Sequence, residues 1–203
     1  MSPRPRKSPD ELEDILTITV SLIAEYGLNN IRYAQISAKA GVSVGTLQHY
    51  FGSLEDLLVA AFDYYDSEQA PLARAVGSPD ADQWTEALNR LDRMVEVRNI
   101  AAVALMWARI LEPGHDFVRL REEGMKSYTL WVDEFRELIS DGKKVGRFRF
   151  TLPVNDLTDA VSALMDGLGQ SIAIGRIDPR AARRIAKGAV ATLLDVAEDT
   201  AAR

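Results

Sequence analysis

The chain has 203 residues, of which 47% are hydrophobic, and a formal net charge of −6 at pH 7. This length allows one large or two small domains with a substantial core. The sequence has no cysteine, which excludes disulfides, thiolate metal ligands and cysteine nucleophiles, and its two histidines, His49 and His115, are too far apart to suggest a metal cluster. We therefore expect no metal, no cofactor and no catalytic residues.

Residues 1–7 carry three cations and two prolines. A segment of this composition does not form a packed core, so we interpret it as a flexible basic arm that either solubilises the chain or enters a minor groove. No hydrophobic segment of a signal peptide follows, and no apolar run approaches the ~20 residues that are needed to cross a bilayer. The sequence thus predicts a cytoplasmic protein without a membrane partner.

The first predicted helix begins at Ser8-Pro-Asp-Glu11. Ser8 is a suitable N-cap, and Pro9 stands in the first turn, where its missing N–H group does no harm. Apolar residues then recur on one face as far as Tyr26, and Gly27 ends the helix. This helix supports the segment that follows it.

The next two helices are separated by a very short turn. The first ends at Gly41, because glycine adopts the left-handed backbone conformation without steric cost. The second begins after Ser43, a good N-cap, and Leu47 and Phe51 recur at helical spacing toward a core. Two helices joined by a turn of about three residues are typical of a helix-turn-helix motif.

The second helix of this motif has an outer face suited to a DNA major groove. A glutamine amide can pair with both N6 and N7 of adenine, so we predict that Gln48 reads a base. Tyr50 is expected to reach phosphate through its hydroxyl group, and His49 to contact phosphate or a base. Small side chains at Val44, Gly45 and Thr46 allow close approach. No Asp or Glu lies between Tyr26 and Leu54, so the motif is less acidic than the rest of the chain.

The stretch Ala40-Gly-Val-Ser-x-Gly-Thr-Leu-x-His-Tyr-Phe-x-Ser-x-Glu-Asp-Leu-Leu58 follows Ile15-Leu and Ala24-Glu-Tyr-Gly27. Together these motifs resemble the N-terminal domain of the tetracycline-repressor (TetR) family of bacterial regulators. The resemblance covers roughly the first third of the chain. It implies an all-α fold with a three-helix DNA-binding domain and a larger C-terminal helical domain for effector binding and dimerisation.

The resemblance also implies DNA contacts for individual residues. It places Arg32 and Tyr33 on the DNA backbone, and it expects a short hydroxyl contact from Thr46. The chain departs from the family pattern at Gln48, where an aromatic residue is usual, and at Val44 and Leu54, where lysine is common. The DNA-binding residues that we predict are Arg32, Tyr33, Ser43, Val44, Gly45, Thr46, Gln48, His49 and Tyr50.

Breaks in the helical pattern suggest two domains. Ser53 caps a fourth helix over residues 54–66, and Ala70-Pro71 and Gly77-Ser-Pro79 then interrupt the pattern. We predict a DNA-binding domain at 8–68 and a ligand-binding and dimerisation domain at 79–203, with about nine helices in all. In the second domain the pattern predicts a long helix over 117–141, an ordered loop at 146–153, and helices over 154–174 and 178–197.

The long helices are rich in large apolar side chains that could line an effector cavity or simply form the core. If a cavity exists, these residues favour an apolar or aromatic ligand with a polar anchor that the sequence does not identify. The candidate lining residues are Trp84, Met106, Trp107, Met125, Tyr128, Trp131, Phe135 and Met165.

The last two predicted helices have apolar faces wide enough to pack on their own domain and on a second copy of the chain. Because one recognition helix reads only a few base pairs, we expect a homodimer on a palindromic operator. The candidate interface residues are Leu157, Val161, Leu164, Leu168, Ile185, Ala189 and Leu193.

Two functions follow from these observations. The first is a ligand-responsive transcriptional regulator, most simply a repressor that a small molecule releases from double-stranded DNA. The alternative is an all-helical enzyme or small-molecule carrier whose N-terminal motif serves protein contacts. The acid-free reading surface favours the first function, as does the lack of a recognisable nucleophile and base.

Overall fold

The computed structural model describes residues 9–74, 82–96 and 100–196. The basic arm at 1–7, the Ser8 cap and the predicted break at Gly77 lie outside this part of the chain. Over the described ranges the structure is helical apart from turns, loops and an isolated antiparallel bridge between Phe148 and Val196, which confirms the all-α class. The helices are α1 (Pro9–Tyr26), α2 (Tyr33–Ala40), α3 (Val44–Phe51), α4 (Leu54–Arg74), α5 (Gln83–Glu96), α6 (Ile100–Leu111), α7 (Val118–Lys144), α8 (Val154–Ala173) and α9 (Pro179–Leu194).

The residues group into two compact units. Unit 1 comprises Met1–Gln69 and Leu105–Met125, and unit 2 comprises Ala70–Ala104 and Lys126–Arg203. The sequence pattern assigned residues 105–125 to the C-terminal domain, whereas the structure packs them with the N-terminal segment. The reason is hydrophobic burial, because Met106, Ile110 and Leu120 are fully enclosed in the core of unit 1.

Unit 1 is organised by the residues that the sequence placed at helix ends. Gly41 has φ 65° and ends α2 in the left-handed conformation, as predicted. Ser43 caps α3, and its hydroxyl accepts a hydrogen bond from the Thr46 N–H at 3.0 Å, which was also predicted. Leu47 of α3 is fully buried in the same core as Ile36 of α2. The turn is therefore short and fixed at both sides.

Helix α4 is longer than the sequence pattern suggested. It continues through Pro71 to Arg74, so the predicted interruption at Ala70-Pro71 is wrong. A proline inside a helix removes one backbone hydrogen bond without preventing the neighbouring turns from continuing. Helix α7 ends at Lys144, three residues after the end that the sequence pattern predicts, so Gly142 lies inside the helix.

The core of unit 2 is formed by one face each of α5, α7, α8 and α9, around residues such as Leu91, Phe135 and Val190. Asp92 of α5 binds Lys187 of α9 at 3.0 Å and accepts two hydrogen bonds from Arg183. As expected, Asp178 caps α9, accepting from the Ala181 N–H at 2.8 Å. These contacts fix α9 against α5.

The predicted ordered loop between α7 and α8 is confirmed. Phe148 and Phe150 are buried in the core of unit 2. The Arg149 N–H donates to the Leu194 carbonyl at 3.1 Å, which joins the loop to the end of α9. This pairing is too short to be a strand, so the segment is a loop held by its aromatic side chains.

No helix within the described ranges combines the length and apolar character that a membrane span requires.

Candidate nucleic-acid interface

Helix α3 presents a polar outer face opposite a buried inner one. Leu47 is fully buried and Phe51 packs partly on the core, as predicted. Gln48 and His49 are exposed, as are Val44 and Gly45 at the start of the helix. The exposed face therefore offers an amide, an imidazole and a region without bulk. These are groups that can enter a major groove and meet base edges.

The hydroxyl groups at the start of α3 are linked to one another. The Ser43 Oγ, which caps the helix, lies 2.8 Å from the Thr46 Oγ1. Two hydroxyls carry two hydrogens, and one of them forms the bond between the pair. The other hydrogen is left to donate to a DNA phosphate, so this pair can cap the helix and still contact DNA.

Tyr33 is already used within the protein. Its hydroxyl donates to the Gly52 carbonyl at 3.0 Å, which joins the start of α2 to the end of α3. Burial, together with the nearby Asp56 carboxylate, raises the pKa of Tyr33. A tyrosine hydroxyl has one hydrogen, so Tyr33 cannot donate to phosphate while it holds Gly52.

Arg32 stands at the N-cap position of α2, and its guanidinium bonds to the preceding loop rather than to the helix. Its Nη1 donates to the carbonyls of Asn29 at 2.9 Å and Ile31 at 2.6 Å, and its backbone N–H donates to the Gln35 Oε1 at 2.6 Å. A guanidinium has five N–H donors, so others stay available for a phosphate. Arg32 is therefore both a loop anchor and a candidate DNA contact.

His49 and Tyr50 pack edge to face, with ring centroids 5.4 Å apart and an angle of 75° between the ring planes. This contact restricts the rotamers of two predicted DNA-binding side chains. Less rotamer freedom then has to be lost when the surface meets DNA.

The candidate effector residues do not form a single cluster. Met106 and Trp107 belong to the core of unit 1, where the Trp107 ring packs edge to face on Phe62. Met125 is 43% exposed. Trp84, Trp131, Phe135 and Met165 lie in unit 2, three of them on α5 and α7 and one on α8. The aromatic residues of α7 are the ones that the structure brings together.

Tyr128, Trp131 and Phe135 form a row along α7. Their ring centroids are 6.4 Å apart for the first pair and 5.8 Å apart for the second, which is stacked. The Tyr128 hydroxyl donates to the Asp166 carboxylate of α8 at 2.9 Å. Burial and this bond raise the pKa of Tyr128 to about 12. Partial desolvation of the carboxyl raises the pKa of Asp166, although the residue as a whole is exposed.

Sequence reasoning did not identify Asp166. Tyr128 and Asp166 are 38 residues apart in sequence, so no local pattern links them. The apolar stripe of α8 indicates only its core residues. The sequence does show that Asp159 and Asp166 lie two turns apart on one face of a largely apolar helix. In the structure both carboxylates raise the pKa of Tyr128.

The candidate dimer residues differ in exposure. Leu157, Val161 and Leu168 are buried in the core of their own chain, because the apolar stripe of α8 packs on α9 and the rest of unit 2. They leave no surface for a partner. Leu164, Ala189 and Leu193 are half-buried, and Ile185 is 41% exposed. The exposed positions of α8 are instead small or polar, and include Ala160, Ala163 and Gly167.

A short turn between two helices, with a buried inner face and an exposed polar outer face on the second, defines a helix-turn-helix DNA-binding protein. Two family models match this chain. "Bacterial regulatory proteins, tetR family" matches residues 15–61, and "BetI-type transcriptional repressor, C-terminal" matches residues 98–195. The chain belongs to the TetR family of transcriptional regulators.

Two curated relatives carry the description "HTH-type transcriptional regulator BetI". The protein from Klebsiella pneumoniae (strain 342) is 28% identical over 176 residues, which are 82% of this chain and 84% of that protein. The protein from Cronobacter sakazakii (strain ATCC BAA-894) is 33% identical over 94 residues, or 46% of each chain.

Solved structures share the fold at low identity. A putative TetR-family regulator from Rhodococcus sp. has a TM-score of 0.79 at 21% identity, covering 91% of this chain and 99% of its own. A putative transcriptional regulator from Saccharomonospora viridis, solved in complex with choline, has a TM-score of 0.75 at 22% identity, covering 89% of this chain and 95% of its own.

Proposed function

We propose that the protein is a homodimeric repressor that a small organic cation releases from a palindromic operator. The outer face of α3 supports DNA binding, because Gln48 and His49 are exposed there above a fully buried Leu47. Side chains held in this way are ready to meet base edges without a change in the fold.

The homodimer is proposed because a single recognition helix reads too few base pairs to select one genomic site. Exposed positions on the last two helices supply the surface, including Ala160, Ala163 and Gly167 of α8 and Ile185 and Gly188 of α9. Small residues allow two helices from different copies to approach closely. A four-helix arrangement of this kind would be two-fold symmetric and would match a palindromic site.

The effector site is proposed at the α7 aromatic row beside Asp166. Tyr128 and Trp131 offer aromatic faces, and the Asp166 carboxylate, 2.9 Å from the Tyr128 hydroxyl, offers a negative charge. Aromatic faces with a nearby carboxylate suit a quaternary ammonium group. The choline bound by the Saccharomonospora viridis protein has this chemistry. The sequence alone leads us to expect an apolar or aromatic ligand. A ligand of that kind with a cationic head would have Asp166 as its polar anchor.

Release of DNA follows from a difference in affinity. The cation must bind more tightly to a form of the dimer whose recognition helices no longer match two successive major grooves, about 34 Å apart. By linkage, operator DNA must weaken cation binding by the same factor.

The first experiment is selection of duplexes from a random-sequence pool by the purified protein. We expect a palindromic site that is bound by a dimer, with the oligomeric state measured by light scattering. The Ala163→Glu variant, altered at an exposed position, should be monomeric and bind the selected duplex poorly. A selected site without symmetry, or a monomeric wild type, would refute the dimer.

The second experiment is calorimetric titration with choline, with and without the selected duplex. Asp166→Asn should weaken choline binding, whereas Asp156→Asn, which removes an exposed charge from the same helix, should not. Equal weakening in both variants would mean that choline responds only to overall charge. Absence of binding to the wild type would rule out a choline-like effector.

A further inference from the structure

The N-terminal turn of α4 is closed by a reciprocal pair of side chains. The Asp56 N–H donates to the Ser53 Oγ at 3.0 Å, and the Ser53 N–H donates to the Asp56 Oδ2 at 3.1 Å. This capping box satisfies backbone donors that the helix itself leaves free. Ser53 directly follows Gly52, the residue that ends α3, so the capping box also fixes where the chain leaves the recognition helix.

The first turn of α7 binds the same turn of α4 in two ways. The Arg119 guanidinium donates to the Asp56 Oδ1 at 2.5 Å. The Arg119 backbone N–H donates to the Glu55 Oε1 at 2.7 Å, so Glu55 caps α7 as well as lying in the first turn of α4. Two carboxylates between two helix N-termini interact favourably with both helix dipoles.

These bonds give Asp56 a double role. Hydrogen bonds from Ser53 and then from Arg119 lower the pKa of the Asp56 carboxyl to about 2, so it is ionised at neutral pH. One of its oxygens holds the capping box next to the recognition helix, and the other holds Arg119. A movement of Arg119 therefore acts on the turn that follows α3.

We propose that Arg119 is a positioning residue for DNA binding, which holds the α3–α4 turn in the arrangement that reads the operator. It touches no DNA in this role. The effect on operator affinity rests on the proposed function, whereas the bond between Arg119 and Asp56 needs neither DNA nor an effector.

The size of the effect is limited by exposure. Arg119 is exposed and Asp56 half-buried, and ion pairs of this kind change an equilibrium by at most about fivefold. We therefore expect a several-fold effect on operator affinity rather than its loss.

The test compares Arg119→Gln with Arg121→Gln, which removes the same charge from an exposed position two residues along α7. The first readout is hydrogen exchange of amides 52–57 in the DNA-free protein, which needs neither operator nor effector. Exchange should become faster in Arg119→Gln and stay unchanged in Arg121→Gln, and Arg119→Lys should restore part of the protection.

The second readout is affinity for a duplex selected from a random pool by the wild type. Arg119→Gln should bind about threefold to fivefold more weakly, and it should add little in an Asp56→Asn background, because both changes break one interaction. Equal weakening in Arg121→Gln, or unchanged exchange in Arg119→Gln, would overturn the positioning role. If exchange becomes faster in Arg119→Gln but the wild type selects no duplex from the pool, the bond between Arg119 and Asp56 is supported. The proposed operator binding is then refuted instead.

Discussion

The hydroxyl of Tyr33, the first residue of α2, donates a hydrogen bond to the carbonyl of Gly52, the residue that ends α3. This bond spans the helix-turn-helix from its start to its end. Gly52 has φ 77°, so its carbonyl leaves the helix direction and becomes available to Tyr33. The angle between the two helices is thus held by a side chain at one end as well as by the short turn at the other.

Tyr33→Phe removes this bond and keeps the ring. We expect the free energy of unfolding to fall by about 0.5–1.5 kcal/mol, the usual worth of one hydrogen bond. Urea denaturation of the DNA-free protein measures this change. If stability is unchanged while operator affinity falls, the hydroxyl contacts DNA instead, as the family resemblance implied.

Gly41→Val tests the left-handed turn. The φ of Gly41 is 65°, and beyond its two chain neighbours no atom lies within 4 Å of the position that a Cβ would occupy. A Cβ would therefore meet no side chain from elsewhere in the fold. The cost is that of the left-handed backbone conformation, about 1–2 kcal/mol or slightly more for a β-branched residue. Gly45→Ala, at a helical position, is the control and should leave stability unchanged or raise it. Thermal melting that is unaffected by Gly41→Val would contradict the argument.

Gly142→Ala tests the packing of the loop after α7. A methyl group at Gly142 would overlap the ring of Phe148, which is fully buried against this part of the helix. We expect destabilisation of about 1–3 kcal/mol, as for other overpacked sites. A double variant with Phe148→Leu should recover part of the loss, since the smaller side chain makes room. A melting temperature equal to that of the wild type would show that the loop moves aside at no cost.

The N-terminal helices could be predicted closely because their ends depend on local residues. Gly27, Gly41 and Ser43 terminate or cap helices through their own backbone conformation or through a neighbour three residues away. Such interactions are visible in a short stretch of sequence.

The rest depends on contacts between distant residues. Nothing near Pro71 indicates that α4 continues past it, and nothing near Met106 indicates which helices will bury it. The bond from Tyr128 to Asp166 likewise joins helices that are separated in sequence. Apolar periodicity showed that Leu157 and Val161 share a face of α8, but not that this face packs on its own chain.

The ion pairs of Asp92 predict a pH dependence of stability. Burial alone would raise the pKa of Asp92, but hydrogen bonds from Arg183 and Lys187 and their charges lower it overall. Because the pKa of Asp92 is lower in the folded state, its charge stabilises that state fully at a pH above the unfolded-state pKa of about 3.9. This contribution is lost as the pH falls through the folded-state pKa. Stability at neutral pH should therefore exceed that of Asp92→Asn, and the difference should shrink in acid.

Asp141→Asn is the matched control for Asp92→Asn. Asp141 pairs with Lys144 at 2.8 Å in an exposed position, where ion pairs contribute little. Urea denaturation at several pH values and a fixed protein concentration compares the two variants. A difference between wild type and Asp92→Asn that does not change with pH would show that the Asp92 charge does not contribute.

Gln48 is exposed on α3, and we expect its amide to read a base. A bidentate amide contact with adenine is worth about 1–3 kcal/mol of discrimination, so Gln48→Ala should weaken binding to the selected duplex by about that amount. The loss should be confined to the preferred base at one position in each half-site, because other contacts are unchanged. Lys39→Gln removes an exposed cation from the end of α2. If Lys39 contacts phosphate, this change should lower the affinity for all duplexes alike and reduce the salt dependence of DNA binding. A panel of duplexes with single base changes separates these results. Uniform weakening by Gln48→Ala across the panel would assign the glutamine to the DNA backbone.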